Sequence, residues 1–268
     1  MIKLYTLMAV ALLALASCDD LFDYHPYDTD VDGEKGINAK NIVRIEQACK
    51  GRDTIRFVMM GDSHRSYDEE KALVKSVNRI AGLDFLIHGG DFSEYGVTKE
   101  FEWHRDILSG LNVPYVALIG NHDCMGDGEY AFKAIFGEEN FSFVAGNVRF
   151  VCLNTNAFEY DYSNPVPNFG FIEECIMDVP AEVSKHVAVM HAPPYSEQFN
   201  NNVAKVFEYA LTQLPGLQFC LHAHCHKLLQ DTIFDDGIVY YGSDCVEHRN
   251  YLLFTIKPDG YEHEVVYF

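Results

Sequence analysis

Five short apolar runs dominate the pattern: Ile55 to Met60, Asp84 to His88, Val113 to Ile119, His186 to Met190 and Leu217 to Leu221. Each is too short for a helix and lacks strict polar alternation, as expected of strands buried on both faces of a largely parallel sheet. Between them lie stretches of helical period. Asp68 to Ile80 places Leu73, Val77 and Ile80 on one face, and Asn38 is positioned to cap a helix from Ala39 to Cys49 that buries Val43 and Ile45. Further helices are predicted over Lys99 to Leu108, Tyr130 to Phe136, Gly170 to Met177 and Val203 to Leu214. Gly146 and Asn147 mark a hairpin between Phe141 to Ala145 and Val148 to Leu153. The tail reads as strands over Leu229 to Phe234, Ile238 to Tyr241, Leu252 to Ile256 and Glu264 to Tyr267, with turns at Asp236-Gly237 and Asp259-Gly260. The pattern predicts two packed sheets with helices outside and a single domain over residues 38–268, without internal repeats.

At or just past the five runs stand Asp62 and His64, Asp91, Asn121, His191, then His224 and His226. The carboxyl ends of parallel strands open into one crevice, so residues far apart in sequence meet there. Carboxylate, amide and imidazole donors together suit Zn, Mn or Fe, whereas an all-oxygen shell suits Mg or Ca. Two divalent or trivalent ions are expected, with Asp91, alone after its strand, bridging them.

Asp62-Ser63-His64, Gly90-Asp91, Gly120-Asn121-His122-Asp123, His191 and Ala223-His224-Cys225-His226, with steps of 29, 30, 70 and 33 residues between successive ligands, resemble the calcineurin-like metallophosphoesterase family from about Ile55 onward. The resemblance implies an α/β fold, a four-layer αββα sandwich of two mixed β-sheets flanked by helices. It implies that Asp62, His64 and His226 hold one metal, that Asn121, His191 and His224 hold the other, and that Asp91 bridges. His122 would protonate the leaving oxygen after attack by a metal-bridging hydroxide, with either Glu94 or Asp123 orienting its ring. Two departures stand out. Ala223 replaces the usual glycine and His222 precedes it, so the final pair is either His224 with His226 or His222 with His224. After Glu94, where phosphoprotein phosphatases of the superfamily carry an arginine, the chain has Tyr95 and Gly96; Arg65 is the alternative phosphate clamp. His88 and His222 are assigned structural or supporting roles.

The apolar run Leu7 to Ala16 is too short to span a bilayer and follows Lys3, as in a signal peptide over residues 1–17. Leu15-Ala16-Ser17-Cys18 resembles a bacterial lipobox, which implies lipidation of Cys18 and anchoring at the cell envelope, periplasmic or surface-exposed. Residues 18–37 are expected to form an acidic tether: from Asp19 to Gly36 there are seven Asp or Glu against one Lys. Asp28, Asp30 and Asp32 match the front of a calcium loop, but Ala39 stands where the closing Glu is needed, which favours a solvated linker.

Charge narrows the substrates. With 20 basic and 40 acidic side chains the formal net charge is -20, and no Lys/Arg stripe offers a track for a long nucleic-acid backbone. Seven cysteines besides Cys18 lack scaffold spacing; Cys152, Cys175 and Cys220 fit buried apolar positions, while Cys225, between two candidate ligands, is a candidate redox-sensitive thiol pointing away from the metals. Three functions are compatible: a phosphoesterase acting on a phosphomonoester or small phosphodiester, a dinuclear hydrolase of another bond, and a lipid-anchored binding protein without turnover. The loops Tyr95 to Lys99, Asn156 to Asn168 and Pro193 to Asn202 are the candidate specificity elements.

Overall fold

The computed structural model describes residues 28–160 and 164–268. The predicted signal peptide, Cys18 and the start of the tether lie outside them. No described helix is long and apolar enough to cross a membrane.

One sheet runs β11-β10-β1-β2-β3, with β1 (Ile55–Met60), β2 (Phe85–His88) and β3 (Tyr115–Ala117) parallel and β10 (Asn250–Lys257) and β11 (Gly260–Tyr267) antiparallel. The other runs β4-β5-β6-β7-β9-β8. In it β5 (Val148–Leu153), β6 (Lys185–Met190), β7 (Leu217–His222) and β9 (Tyr240–Gly242) are parallel; β4 (Phe141–Ala145) and β8 (Leu229–Asp231) are antiparallel edges.

Strand alternation divides the core into three layers. Ile55, Phe57 and Met59 of β1 meet Phe150, Val187 and Phe219 between the sheets, where Phe57 stacks on Phe85 and Phe254. The opposite face of β1, Val58 and Met60, packs on α2 (Tyr67–Val77), α3 (Thr98–Leu108) and α4 (Gly128–Ile135). On the far side Ala188, Met190 and Cys220 pack on α5 (Phe169–Met177) and α6 (Ala204–Thr212). The result is the αββα sandwich expected from the sequence.

Helix α1 (Ile37–Cys49) closes one side of the sandwich against β3 and β4, and here two expectations fail. Gly36 in the left-handed region, not Asn38, caps it. Asn38 lies inside the helix, donating through Nδ2 to the Ala117 carbonyl and accepting the Ala117 N–H, both at 2.9 Å, while Asn41 Nδ2 donates to the Tyr115 carbonyl at 2.8 Å. These amides satisfy the free edge of β3, a demand invisible in local sequence. Val43 faces solvent at 51% exposure, whereas Ile45 is buried.

The far end of the expected tether is not free. Val31 is buried, the Asp32 N–H donates to Glu102 Oε1 at 2.7 Å, Thr98 donates to the Asp28 carbonyl and Arg105 to that of Asp32. Asp28, Asp30 and Asp32 do not converge as cation ligands; Asp32 instead pairs with Lys99 at 3.2 Å.

Candidate metal centre

Asp62 follows β1, Asp91 follows β2, Asn121 follows β3, His191 follows β6 and His224 follows β7, so parallel pairing delivers all of them to one crevice. Two groups result, sharing Asp91: Asp62, His64, Asp91 and His226, then Asp91, His191 and His224, with donor atoms within 4.8 Å of one another in each. Asn121 Oδ1 joins the second, 3.1 Å from His191 Nε2 and 3.0 Å from His224 Nδ1. The seven residues therefore meet as two sets around one carboxylate.

The backbone is bent to bring them there. Asp62, His64, Asp91, His224 and His226 have φ of 53°, 44°, 59°, 67° and 49°, the left-handed region that non-glycine residues rarely enter, at a cost on the order of 1 kcal/mol or more each. Five strained positions in one crevice mark a site that the rest of the fold must hold. Gly90 (φ 104°) makes room: a methyl group there would stand 2.7 Å from both Gly120 N and His191 Nδ1.

Hydrogen bonds set the imidazole tautomers. His64 Nδ1–H donates to the Ser93 carbonyl at 3.2 Å and His191 Nδ1–H to the Gly89 carbonyl at 2.8 Å, which leaves the Nε2 lone pair of each facing the site. His64 Nε2 and His226 Nε2 then face each other at 3.3 Å, and His226 Nε2 is 3.5 Å from Asp62 Oδ1. Ring nitrogens and carboxylates aimed together at this range suit a shared cation, so the donor set fits the paired metals that the residue types imply. Burial keeps His64 and His224 below the usual imidazole range, in the neutral form that binds metal. Burial also opposes charge on His191, but the Asp91 carboxylate, 3.3 Å away, outweighs it and raises the ring to about 9 in the metal-free protein.

Of the final histidines, His224 and His226 stand in the donor sets. His222 belongs to β7, is buried, donates to the Ala223 carbonyl at 2.9 Å and packs against Gly242; it stands in neither donor set. Ala223 is buried between the sheets against Gly61 and Gly89, so its methyl does not narrow the approach to the metals. Burial pushes the Cys225 thiol up to about 11.

Around this centre the roles assigned to Glu94 and Asp123 change. His122 Nδ1–H donates to the backbone carbonyl of Glu94 at 3.0 Å, not to either carboxylate, leaving its Nε2 free; its ring lies 4.8 Å from that of His64. The Glu94 carboxylate lies 3.7 Å from His64 Nδ1 and 3.6 Å from Arg65 Nε. Arg65 is largely exposed beside Glu94. Asp123 is a buried bracket: its carboxylate accepts the N–H groups of Asp91, Gly120 and Ser93, each at 2.9 Å, binding the β2 and β3 loops together.

A second support carries no motif. Buried Glu70 accepts from Ser63 Oγ at 3.0 Å and from His104 Nδ1 at 2.7 Å, while His104 Nε2 donates to the His64 carbonyl at 2.7 Å. Burial disfavours charge on His104, and Glu70 reverses this, raising its pKa, consistent with both ring nitrogens donating. His88 completes the network 2.8 Å from Ser63 Oγ. Only the helical spacing of Glu70 on α2 and His104 on α3, which puts both on inward faces, hinted at it.

No curated protein matches the chain. Solved structures of similar fold include GAP50, the anchor in the inner membrane complex of Plasmodium, 13% identical with TM-score 0.59 over 81% of this chain and 85% of that one. The purple acid phosphatase PPD1 of yellow lupin (Lupinus luteus) seeds is 13% identical with TM-score 0.56, covering 81% of this chain and 55% of the other. A dimetal phosphatase from Danio rerio is 11% identical with TM-score 0.55, covering 80% and 99%. The family model of the calcineurin-like phosphoesterases matches residues 55–228, more than half of the 268 residues and every candidate ligand. The chain belongs to the calcineurin-like phosphoesterase family.

Proposed function

We propose that the protein is a dinuclear metal-dependent phosphoesterase that hydrolyses a phosphomonoester or small phosphodiester. The observation that carries this is the sharing of Asp91 between two donor sets. Asp62, His64 and His226 would hold one ion and Asn121, His191 and His224 the other, with Asp91 common to both sets; Mn, Fe or Zn suits such donors. Bound there, such cations would supply charge neutralisation for phosphoryl oxygens and a water activated near neutral pH.

The chain's own residues supply the rest. His122, with its tautomer set by the Glu94 carbonyl, holds a proton at Nε2 only when the ring is charged, and in that form it delivers the proton to the leaving oxygen, for about 10²- to 10⁴-fold in rate. Asp123 and the Glu70–His104 pair hold the ligand loops in register. Arg65, swinging away from Glu94, steadies a phosphate oxygen. A cavity of about 600 Å³ is lined, among the described residues, by uncharged side chains that include Phe158, Tyr160, Phe169, Asn164 and Asn200, and is a candidate pocket for the leaving group. It adjoins the loop bearing His122: Tyr160 Oη is 3.6 Å from Cys124 Sγ.

The signal-like N-terminus and the lipobox-like Leu15-Ala16-Ser17-Cys18 support a location at the bacterial cell envelope with anchoring through lipidated Cys18, and the acidic charge favours small phosphoesters over long nucleic acid. Turnover of an aryl phosphate and its diester by metal-reconstituted protein tests the function. Hydrolysis of either supports it; hydrolysis of neither, with both metal sites filled, favours the non-catalytic binding protein.

A further inference from the structure

A third set of donors lies beside the centre and shares none of its residues. After β9, Asp244, Cys245 and His248 bring a carboxylate oxygen, a thiol and a ring nitrogen within 4.8 Å of one another. His248 Nδ1 is 2.8 Å from Asp244 Oδ1 and 3.5 Å from Cys245 Sγ. The convergence is built by the backbone: a single 3₁₀ turn, Val246–His248, returns the ring over Asp244, and Arg249 at φ 57° ends the turn. The Cys245 N–H donates to Asp244 Oδ1 at 2.9 Å and Asn250 Nδ2 to Asp244 Oδ2 at 3.1 Å, so both carboxylate oxygens are held in place. Cys245 is buried while His248 is exposed, which leaves the cluster open to solvent on one side.

We infer that Asp244, Cys245 and His248 form a third cation site, taking a borderline divalent ion such as Zn(II) with water in the remaining position. Sulfur, imidazole and carboxylate together are a zinc donor set, and the amide donors on Asp244 orient it as outer-shell groups orient metal ligands. Burial pushes the free Cys245 thiol up to about 11, so uptake breaks the S–H bond, forms the sulfur–metal bond and releases one proton to solvent. The site also touches the main centre through the backbone. Cys245 forms a parallel bridge with Gly61, and the Val246 N–H donates to the Asp62 carbonyl at 3.3 Å. An ion here would stiffen the strained loop that presents Asp62.

The centre described above contains no sulfur ligand, so a thiolate signal reports the third site alone. Metal-stripped protein is titrated with Co(II) and the near-ultraviolet thiolate-to-cobalt charge-transfer band is followed. The expected result is a band that saturates at the intensity of a single thiolate-bound cobalt by the time all three sites are filled, disappears in Cys245→Ser with the loss of one bound cobalt, and persists in Cys225→Ser. Should Cys245→Ser fail to fold, His248→Gln, at an exposed position, decides by loss or marked weakening of the band. Absence of the band in the wild type, its survival in both Cys245→Ser and His248→Gln, or its loss only in Cys225→Ser would overturn the assignment.

Discussion

Gly120→Ala tests how tightly the bridging carboxylate is held. A methyl group at residue 120 would stand 2.1 Å from Asp91 Oδ1 and 2.3 Å from Asp91 N, more than 1 Å inside ordinary contact. Neither neighbour can retreat easily, because Gly120 N and Asp91 N both donate to Asp123 Oδ2 at 2.9 Å and Asp91 is buried. Relief must come from moving the carboxylate itself. Overpacking of this kind costs about 1–3 kcal/mol of stability, and a displacement of about 1 Å at a reacting centre costs about 10²-fold in rate. The expected outcome is a folded protein, by urea unfolding, whose kcat/KM on an aryl phosphate falls about 10²-fold and whose metal content drops by at least one ion. Wild-type turnover with full metal content would refute the argument, since the bridge would then tolerate a shift the geometry forbids.

Other residues give sharper separations. His122→Ala lowers kcat about 10²- to 10⁴-fold with metal content unchanged, whereas Glu94→Gln changes kcat far less, because a backbone carbonyl sets the His122 tautomer; kinetics beside elemental analysis separates the two. Glu70→Ala strips His104 and Ser63 of their buried acceptor and costs about 3–5 kcal/mol in urea denaturation, with weaker metal retention through the His64 loop. Metal uptake by stripped protein is proton-linked: His191, raised to about 9 beside Asp91, must lose its proton to become a ligand, so apparent affinity falls by about tenfold per pH unit on descending from pH 8. A competition titration with a chromophoric chelator reads this; a pH-independent affinity would contradict the pairing of His191 with Asp91.

The strands, and the gathering of the seven candidate residues at their ends, were legible in the sequence because both depend on local pattern. Continuous apolar runs mark strands buried on two faces, and ligands at their ends inherit one crevice from the parallel pairing. What was not legible depends on partners distant in the chain. Asn38 read as a cap because its neighbours are helical; the edge of β3, which it satisfies, lies 79 residues on. The Glu94 carboxylate was expected to orient His122, yet the backbone carbonyl does so, and a carbonyl leaves no trace in residue type. Asp123 and Glu70 serve buried backbone and histidine donors that only the folded loops bring near, and Val31 is buried by α3 despite its acidic surroundings. The choice between His222 and His224 with His226 turned on where β7 ends, since a single residue of register reverses which side chains face the crevice.

The proposed hydrolysis requires paired cations held by side chains from two sheets. Elemental analysis of protein reconstituted with Mn, Fe or Zn, alongside turnover before and after chelation, tests it most directly. Two ions per chain, beyond any held by Asp244, Cys245 and His248, that Asp91→Ala loses together, with phosphoester hydrolysis lost on chelation and restored by metal, is the predicted result. Turnover unaffected by chelation, or ions retained in full by Asp91→Ala, would contradict it.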